Sequence, residues 1–212
     1  GEKFFGTKPK NKTTSVFLLP LLTQNHFLSP PPPPPQLSRR REQKRLMENI
    51  KQAYGFDKVF QLGYPTTFMD AFPLSEIISK IADIFRQLTP EIVYIPNRSD
   101  IHSDHRITFD AAFACTKSFR YPYVKKVLIY ETISETEFSP AIMNNAFVPN
   151  YFVDITRLFK QKMDIIKNCY SLELGSPPFP RSLENLESLA TLRGSTVGVR
   201  YAEAFQLLKW IV

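Results

Sequence analysis

The sequence has few cysteines and histidines and no apolar run long enough to cross a membrane. Of its 212 residues, two are cysteine and three are histidine. Cys115 and Cys169 lie far apart, with no Cys-x-x-Cys pair and no Cys/His cluster, which excludes a disulfide framework and a cysteine-based zinc site. We expect two reduced, partly buried thiols in a cytoplasmic protein. The apolar stretch 16–22 is far shorter than the about 20 residues that a bilayer requires, so no transmembrane segment is expected.

Glycine is also scarce, with 7 residues against 18 prolines. The excess of basic over acidic residues is confined to one part of the chain. Residues 1–45 carry nine Lys and Arg residues against two acidic residues, which accounts for the whole formal net charge of +7. The remaining chain is formally neutral. A charge excess confined to one terminal segment gives little support to a nucleic-acid partner for the body of the protein.

Residues 1–38 form a basic, proline-rich segment that we expect to lie outside the fold. The basic residues before the apolar stretch 16–22 resemble the outline of a secretory signal, but no small-residue cleavage site follows and the chain opens on Gly1. A proline run such as 30–35 favours polyproline II, so we expect that it could dock on an SH3 or WW domain, although a solvated spacer is the simpler interpretation. The domain is assigned to residues 39–212.

In the body of the chain, helical patterns alternate with strand patterns. The spacing of apolar residues predicts helices over residues 39–54, 74–88, 109–119, 156–170 and 198–210. Short apolar runs predict strands over residues 58–62, 91–95 and 127–130. This order predicts an α/β fold, a Rossmann-like and mostly parallel sheet with helices on both faces. Function in such sheets collects beyond the carboxyl ends of the strands, so the loop after residue 95 is the first candidate site.

That loop concentrates polar side chains with metal-binding and acid–base chemistry. Two of the three histidines and two aspartates fall within six residues: Asp100, His102, Asp104 and His105. Neutral imidazole is a good zinc ligand, and a nearby carboxylate can hold the other ring nitrogen. The alternative is that Asp100 or Asp104 caps the following helix and the histidines are solvated. The residues alone leave these two interpretations about equal.

The loop and several other segments resemble one enzyme family. The stretch 100–106, Asp-Ile-His-Ser-Asp-His-Arg, is similar to the H-x-D-H motif of the LmbE/PIG-L family of zinc-dependent N-acetyl-sugar deacetylases. The run 193–205 resembles that family's closing signature, a Gly-x-x-x-Gly segment followed by Tyr-Ala-Glu-Ala-Phe. Residues 152–156 and 62–65 are similar to further family landmarks. The resemblance covers roughly residues 41–212 and is more specific than a lone H-x-D-H.

The resemblance implies a Rossmann-like hydrolase that removes the acetyl group from an N-acetylglucosamine-type conjugate. By position in the motif, His105 is the expected zinc ligand, and His102 the residue that stabilises the oxyanion or helps to protonate the leaving amine. Asp104 is the expected partner that orients His102. Arg98 and Arg106 are the candidate substrate-binding residues, with sugar hydroxyls or a phosphate as their partners.

One departure from the family is serious. The family's early H-P-D-D-E motif supplies two more zinc ligands and the general base, and neither it nor any His-x-x-Asp occurs in these 212 residues. We therefore expect a sheet without its first strand, an unpaired strand edge, and a chain without significant deacetylase activity. The alternatives are a non-catalytic sugar-binding module, an interaction protein that works through the proline run, and a truncated product of an active deacetylase. A homo-oligomer stays open.

Overall fold

The computed structural model of the chain describes residues 13–17 and 36–212, with side chains described for residues 13–16 and 45–212. Most of the basic, proline-rich segment, including His26 and the proline run 30–35, lies outside the described residues.

The described residues form a five-stranded sheet with five α-helices. The strands are β1 (Ser15–Phe17), β2 (Ile92–Pro96), β3 (Lys126–Tyr130), β4 (Tyr151–Asp154) and β5 (Ala202–Trp210). The helices are α1 (Gln36–Tyr54), α2 (Leu74–Leu88), α3 (Ser103–Ala114), α4 (Phe159–Cys169) and α5 (Leu183–Ser195). The predicted α/β fold is confirmed, and α2, β2 and β3 lie close to where the hydrophobic pattern places them.

The strand order across the sheet is β1-β2-β3-β5-β4. β1, β2 and β3 are parallel, while β5 runs antiparallel to both β3 and β4. The sheet is therefore mixed. The register pairs Pro96 with Tyr130 at the carboxyl ends of β2 and β3, so the loops that follow these two strands leave the same edge of the sheet.

β1 corrects the expectation of an unpaired strand edge. This three-residue strand comes from the segment 1–38 and pairs with β2 in parallel, with Val16 opposite Val93. The Val16 side chain is buried in the main core cluster. The edge of β2 that the missing motif was expected to leave open is therefore paired along β1.

The strand predicted over residues 58–62 is wrong, because this segment is irregular. Val59 and Phe60 are each 39% exposed, and no strand of the described sheet pairs with this segment. Apolar residues in a short run do not form a strand without a partner strand to satisfy their backbone groups.

The helix predicted over residues 198–210 is also wrong, since this segment contains β5. Ala, Glu, Gln and Leu favour helices when taken singly, but pairing with β3 and β4 overrides this preference. The chain leading into β5 requires glycine at two positions. A Cβ at Gly194 would lie 2.6 Å from the carbonyl oxygen of Val199, and Gly198 has a φ of +76°.

Apolar clusters lie on both faces of the sheet. Val93 and Ile95 of β2 belong to the cluster that contains the buried residues of α2 and α3. The alternating residues Ile92 and Tyr94 belong to a second cluster with Phe205 of β5. Within the described part of the chain, no helix has the length and apolar character needed to cross a membrane.

Candidate functional site at the carboxyl edge of the sheet

The first turn of α3 places His102 at its amino end. The His102 Nδ1 atom accepts a hydrogen bond of 3.1 Å from the backbone N–H of Asp104, so the imidazole itself caps the helix. This cap replaces the Asp100 or Asp104 cap that we considered from the sequence. Because Nδ1 accepts, a neutral His102 carries its proton on Nε2. Burial and the neighbouring charge of His105 lower the pKa of His102, which favours this neutral form.

His105 and Asp100 form the most buried polar pair of the site. His105 Nδ1 lies 2.7 Å from Asp100 Oδ2, and the two side chains are 2% and 0% exposed. Asp100 Oδ1 also accepts a hydrogen bond of 2.7 Å from Thr136 Oγ1. The buried Nε2 of His105 has no hydrogen-bond partner among the described residues. Metal-ligating histidines commonly bond a carboxylate through one ring nitrogen and bind the metal through the other.

Asp104 is held by a different partner from the one expected. Its carboxylate accepts hydrogen bonds from the backbone N–H groups of Thr67, at 2.7 Å, and Met69, at 3.2 Å. The carboxylate therefore joins the 66–69 turn to α3, and the hydrogen bond between Asp104 and His102 comes from the Asp104 backbone N–H. Its expected role in orienting His102 through the carboxylate is not what the geometry shows.

The two candidate arginines differ in their surroundings. Arg106 Nη1 donates hydrogen bonds to the carbonyl oxygens of Asp100, at 3.0 Å, and Ile101, at 2.6 Å. This guanidinium holds the backbone of the loop in place. Arg98 is exposed at the beginning of the same loop.

The loop after β3 contributes residues that the sequence analysis did not single out. Besides the bond from Thr136 to Asp100, the carbonyl oxygen of Glu135 accepts from the N–H of Ile101 at 3.2 Å, and Ser139 Oγ donates to the carbonyl of Ser99 at 2.6 Å. Burial raises the pKa of the Glu135 carboxyl. The neighbouring Asp100 raises this pKa further, and His105 lowers it. The sequence could have pointed to Glu135 through its position beyond the carboxyl end of a buried strand.

The described residues do not form a complete metal site by themselves. Among them, no group of three His, Cys, Asp or Glu side chains is placed to hold a metal ion. His105 fits one ligand position, through the unpartnered Nε2 atom. A catalytic zinc ion ordinarily takes three protein ligands and a water molecule, so the fit to zinc is partial.

This fold and this loop define the protein as a Rossmann-like α/β protein with a His–Asp pair at the carboxyl edge of its sheet. Residues 29–116 match the family model described as PIG-L, GlcNAc-PI de-N-acetylase, which confirms the resemblance seen in the motifs. The match contains the whole 97–106 loop and ends before the 193–205 run. A search of curated proteins finds no significant match.

Solved structures support the fold over most of the chain. A conserved protein from Thermus thermophilus, TT1542, is 21% identical with a TM-score of 0.61, over 81% of this chain and 75% of that one. N,N'-diacetylchitobiose deacetylase from Pyrococcus horikoshii is 24% identical with a TM-score of 0.57, over 81% and 63%. The 4-carboxy-2-hydroxymuconate hydratase GalB from Pseudomonas putida is 18% identical with a TM-score of 0.56, over 83% and 75%. Since a deacetylase and a hydratase share this fold, the reaction has to be argued from the site.

Proposed function

We propose that this chain is a protein of the PIG-L deacetylase type that binds N-acetylglucosamine-type conjugates, and that these 212 residues alone lack significant hydrolytic activity. The observation that carries the proposal is the buried His105–Asp100 pair with its unpartnered Nε2 atom. Leaving a buried ring nitrogen without a partner costs free energy, which favours a ligand at that position.

Each candidate residue has a role that its contacts support. His105 would hold zinc through Nε2, and zinc when bound would polarise the acetamide carbonyl. His102, neutral and protonated on Nε2, is a hydrogen-bond donor suited to a developing oxyanion. Asp104 and Arg106 act as positioning residues, because both side chains hold backbone of the site. Arg98 has only its exposure to support a role, and we propose that it binds a substrate hydroxyl or phosphate.

The expected lack of activity follows from ligand number. The sequence contains no His-x-x-Asp that could supply the family's other zinc ligands and its general base. A single imidazole holds zinc weakly, and without the base no group is assigned to take the proton from the attacking water.

The test is an assay of acetate released from N-acetylglucosamine conjugates in the presence of zinc. We expect no acetate above the rate in buffer. Acetate release that disappears in the His105→Ala protein would overturn the proposed inactivity and leave the family function in place.

A non-catalytic sugar-binding module is the second candidate. It is favoured because hydrogen bonds already position the 97–106 loop, through Arg106 and the contacts from Glu135 and Ser139. Sugar binding measured by calorimetry and unchanged by EDTA would support it. Binding that requires added zinc would instead place the sugar on the metal.

A further inference from the structure

A cavity lies on the face of the sheet covered by α4 and α5. Its volume is about 180 Å³, and it is partly open to solvent. Most of its wall is apolar, with Leu186, Leu189 and Ala190 from α5 facing Ala204 and Phe205 of β5.

The charged side chains around this cavity are paired with one another. Arg193 donates two hydrogen bonds to the Glu131 carboxylate, at 2.8 and 2.6 Å. Lys162 Nζ lies 2.6 Å from Glu203 Oε1. Each cation has its own carboxylate, so these residues carry no net charge. An isolated anion or cation would have to break one of these pairs, which favours a neutral occupant.

The cavity is close to the His–Asp loop. Its lining includes Tyr130, the last residue of β3, which pairs in register with Pro96 directly before that loop. Arg193, which also lines the cavity, lies 5.8 Å from the ring of Phe147 in the segment that follows β3. The cavity therefore reaches the carboxyl end of β3, next to the strand that leads into the 97–106 loop.

The volume sets the size of the occupant. Drug-sized ligands occupy pockets of about 300–1,000 Å³, so this cavity holds only part of a ligand. An apolar cavity of about 150 Å³ binds benzene, which indicates a group of roughly six carbon atoms here.

We propose that this cavity binds a compact, neutral, apolar group of about six carbon atoms attached to the amino sugar. The inference rests on the proposed function, because it treats the cavity as part of the same substrate site. Such a group can be the aglycone at the anomeric carbon or an N-acyl chain longer than acetyl. Both have the same chemistry, and matched probes separate them.

The experiment measures binding by calorimetry, once with zinc and once with EDTA present. One pair of probes is phenyl and methyl N-acetyl-β-D-glucosaminide, and the other is N-hexanoylglucosamine and N-acetylglucosamine. We expect the larger member of one pair to bind about tenfold more tightly or better, because each buried carbon adds to the affinity. The pair that shows this preference identifies the source of the apolar group. Equal affinities within both pairs overturn the proposal.

Three variants test whether the preference for the larger probe arises in this cavity. Ala190→Leu fills the cavity and should abolish the preference in protein shown to be folded by circular dichroism. Leu189→Ala removes part of the wall and should reduce the preference about threefold, which keeps the test valid if Ala190→Leu does not fold. Leu192→Ala is the matched control, because Leu192 lies on the same helix, is 56% exposed and does not line the cavity. An equal effect of Leu189→Ala and Leu192→Ala, or a preference that survives Ala190→Leu, contradicts the proposal.

Phenol alone separates this inference from the proposed function. If no sugar binds, but phenol binds to the wild type and not to the Ala190→Leu protein, the sugar function fails and the apolar site stands. If sugars bind without any preference for the larger group, the sugar function stands and the cavity proposal fails. Binding of neither sugars nor phenol contradicts both.

Discussion

At the scale of single residues, the site depends on buried polar groups that hold one another in place. Asp100 accepts from both His105 and Thr136 while its side chain is fully buried. The H-x-D-H spacing predicted that His105 lies at a site. It did not predict Asp100 as its partner, because that contact depends on how the 97–102 loop turns into α3.

Replacing Asp100 with alanine should destabilise the protein. The change leaves the His105 Nδ1–H and the Thr136 hydroxyl without their buried acceptor, so we expect a loss of about 2–4 kcal/mol. Urea unfolding measures the difference. Asp110→Ala is the control, because Asp110 is exposed on the same helix as His105. Losses of equal size in the two variants would show that the buried pair contributes nothing specific.

Glu135 should make stability depend on pH. Burial raises its pKa in the folded protein above the ordinary value of 4.5. As pH rises from about 4.5 through the folded pKa, the folded state holds more protons than the unfolded state, so this group's contribution to stability falls. Glu135→Gln should therefore lose less stability than the wild type as pH rises above about 4.5. Glu137→Gln, at an exposed residue of the same loop, should follow the wild type. Superimposable curves for Glu135→Gln and the wild type would contradict this.

At the scale of elements, β1 covers the edge of β2 that we expected to be open. The residues 15–17 pair with β2, but they include no histidine or acidic residue. The sequence pattern marked the apolar run but could not place it, because three residues form a strand only where a neighbouring strand offers an edge.

Val16→Asp should be strongly destabilising. Val16 is 8% exposed within the main core, so an aspartate there buries a charge without a partner. We expect a loss of about 3 kcal/mol or more, measured by urea unfolding. Val59→Asp is the matched control, because Val59 is 39% exposed in an irregular segment and should change stability little. Similar small losses in both variants would show that β1 contributes little to the fold.

At the scale of the whole molecule, the strand pairing changes the expected unfolding behaviour. An open β2 edge predicts weak cooperativity, whereas β1 covers that edge and the helices pack against one sheet. We therefore expect one sharp urea transition. The fluorescence of Trp210, at the end of β5, and the far-ultraviolet circular dichroism of the helices should change together. Separate midpoints for the two signals would contradict this expectation and indicate weak cooperativity.

The hydrophobic pattern predicted α2, β2 and β3 well because each buries an apolar face in the core, and burial imposes a period on the sequence. It misplaced β5 and the segment 58–62, where strand pairing decides the outcome. The same distinction holds for the site. His102 and His105 are visible in a local motif, whereas Glu135 and Thr136 come from a loop about 30 residues further along the chain.

From the sequence alone follow the α/β class, the family resemblance, the His105 position and the absence of a His-x-x-Asp motif. These are properties of composition, periodicity and local spacing. Only the tertiary structure decides that residues 15–17 complete the edge of β2 and that Asp100 pairs with His105. It also decides that an apolar cavity lies between β5 and the helices α4 and α5. The physical reason is that backbone pairing, buried hydrogen bonds and cavities join residues that are far apart in the chain.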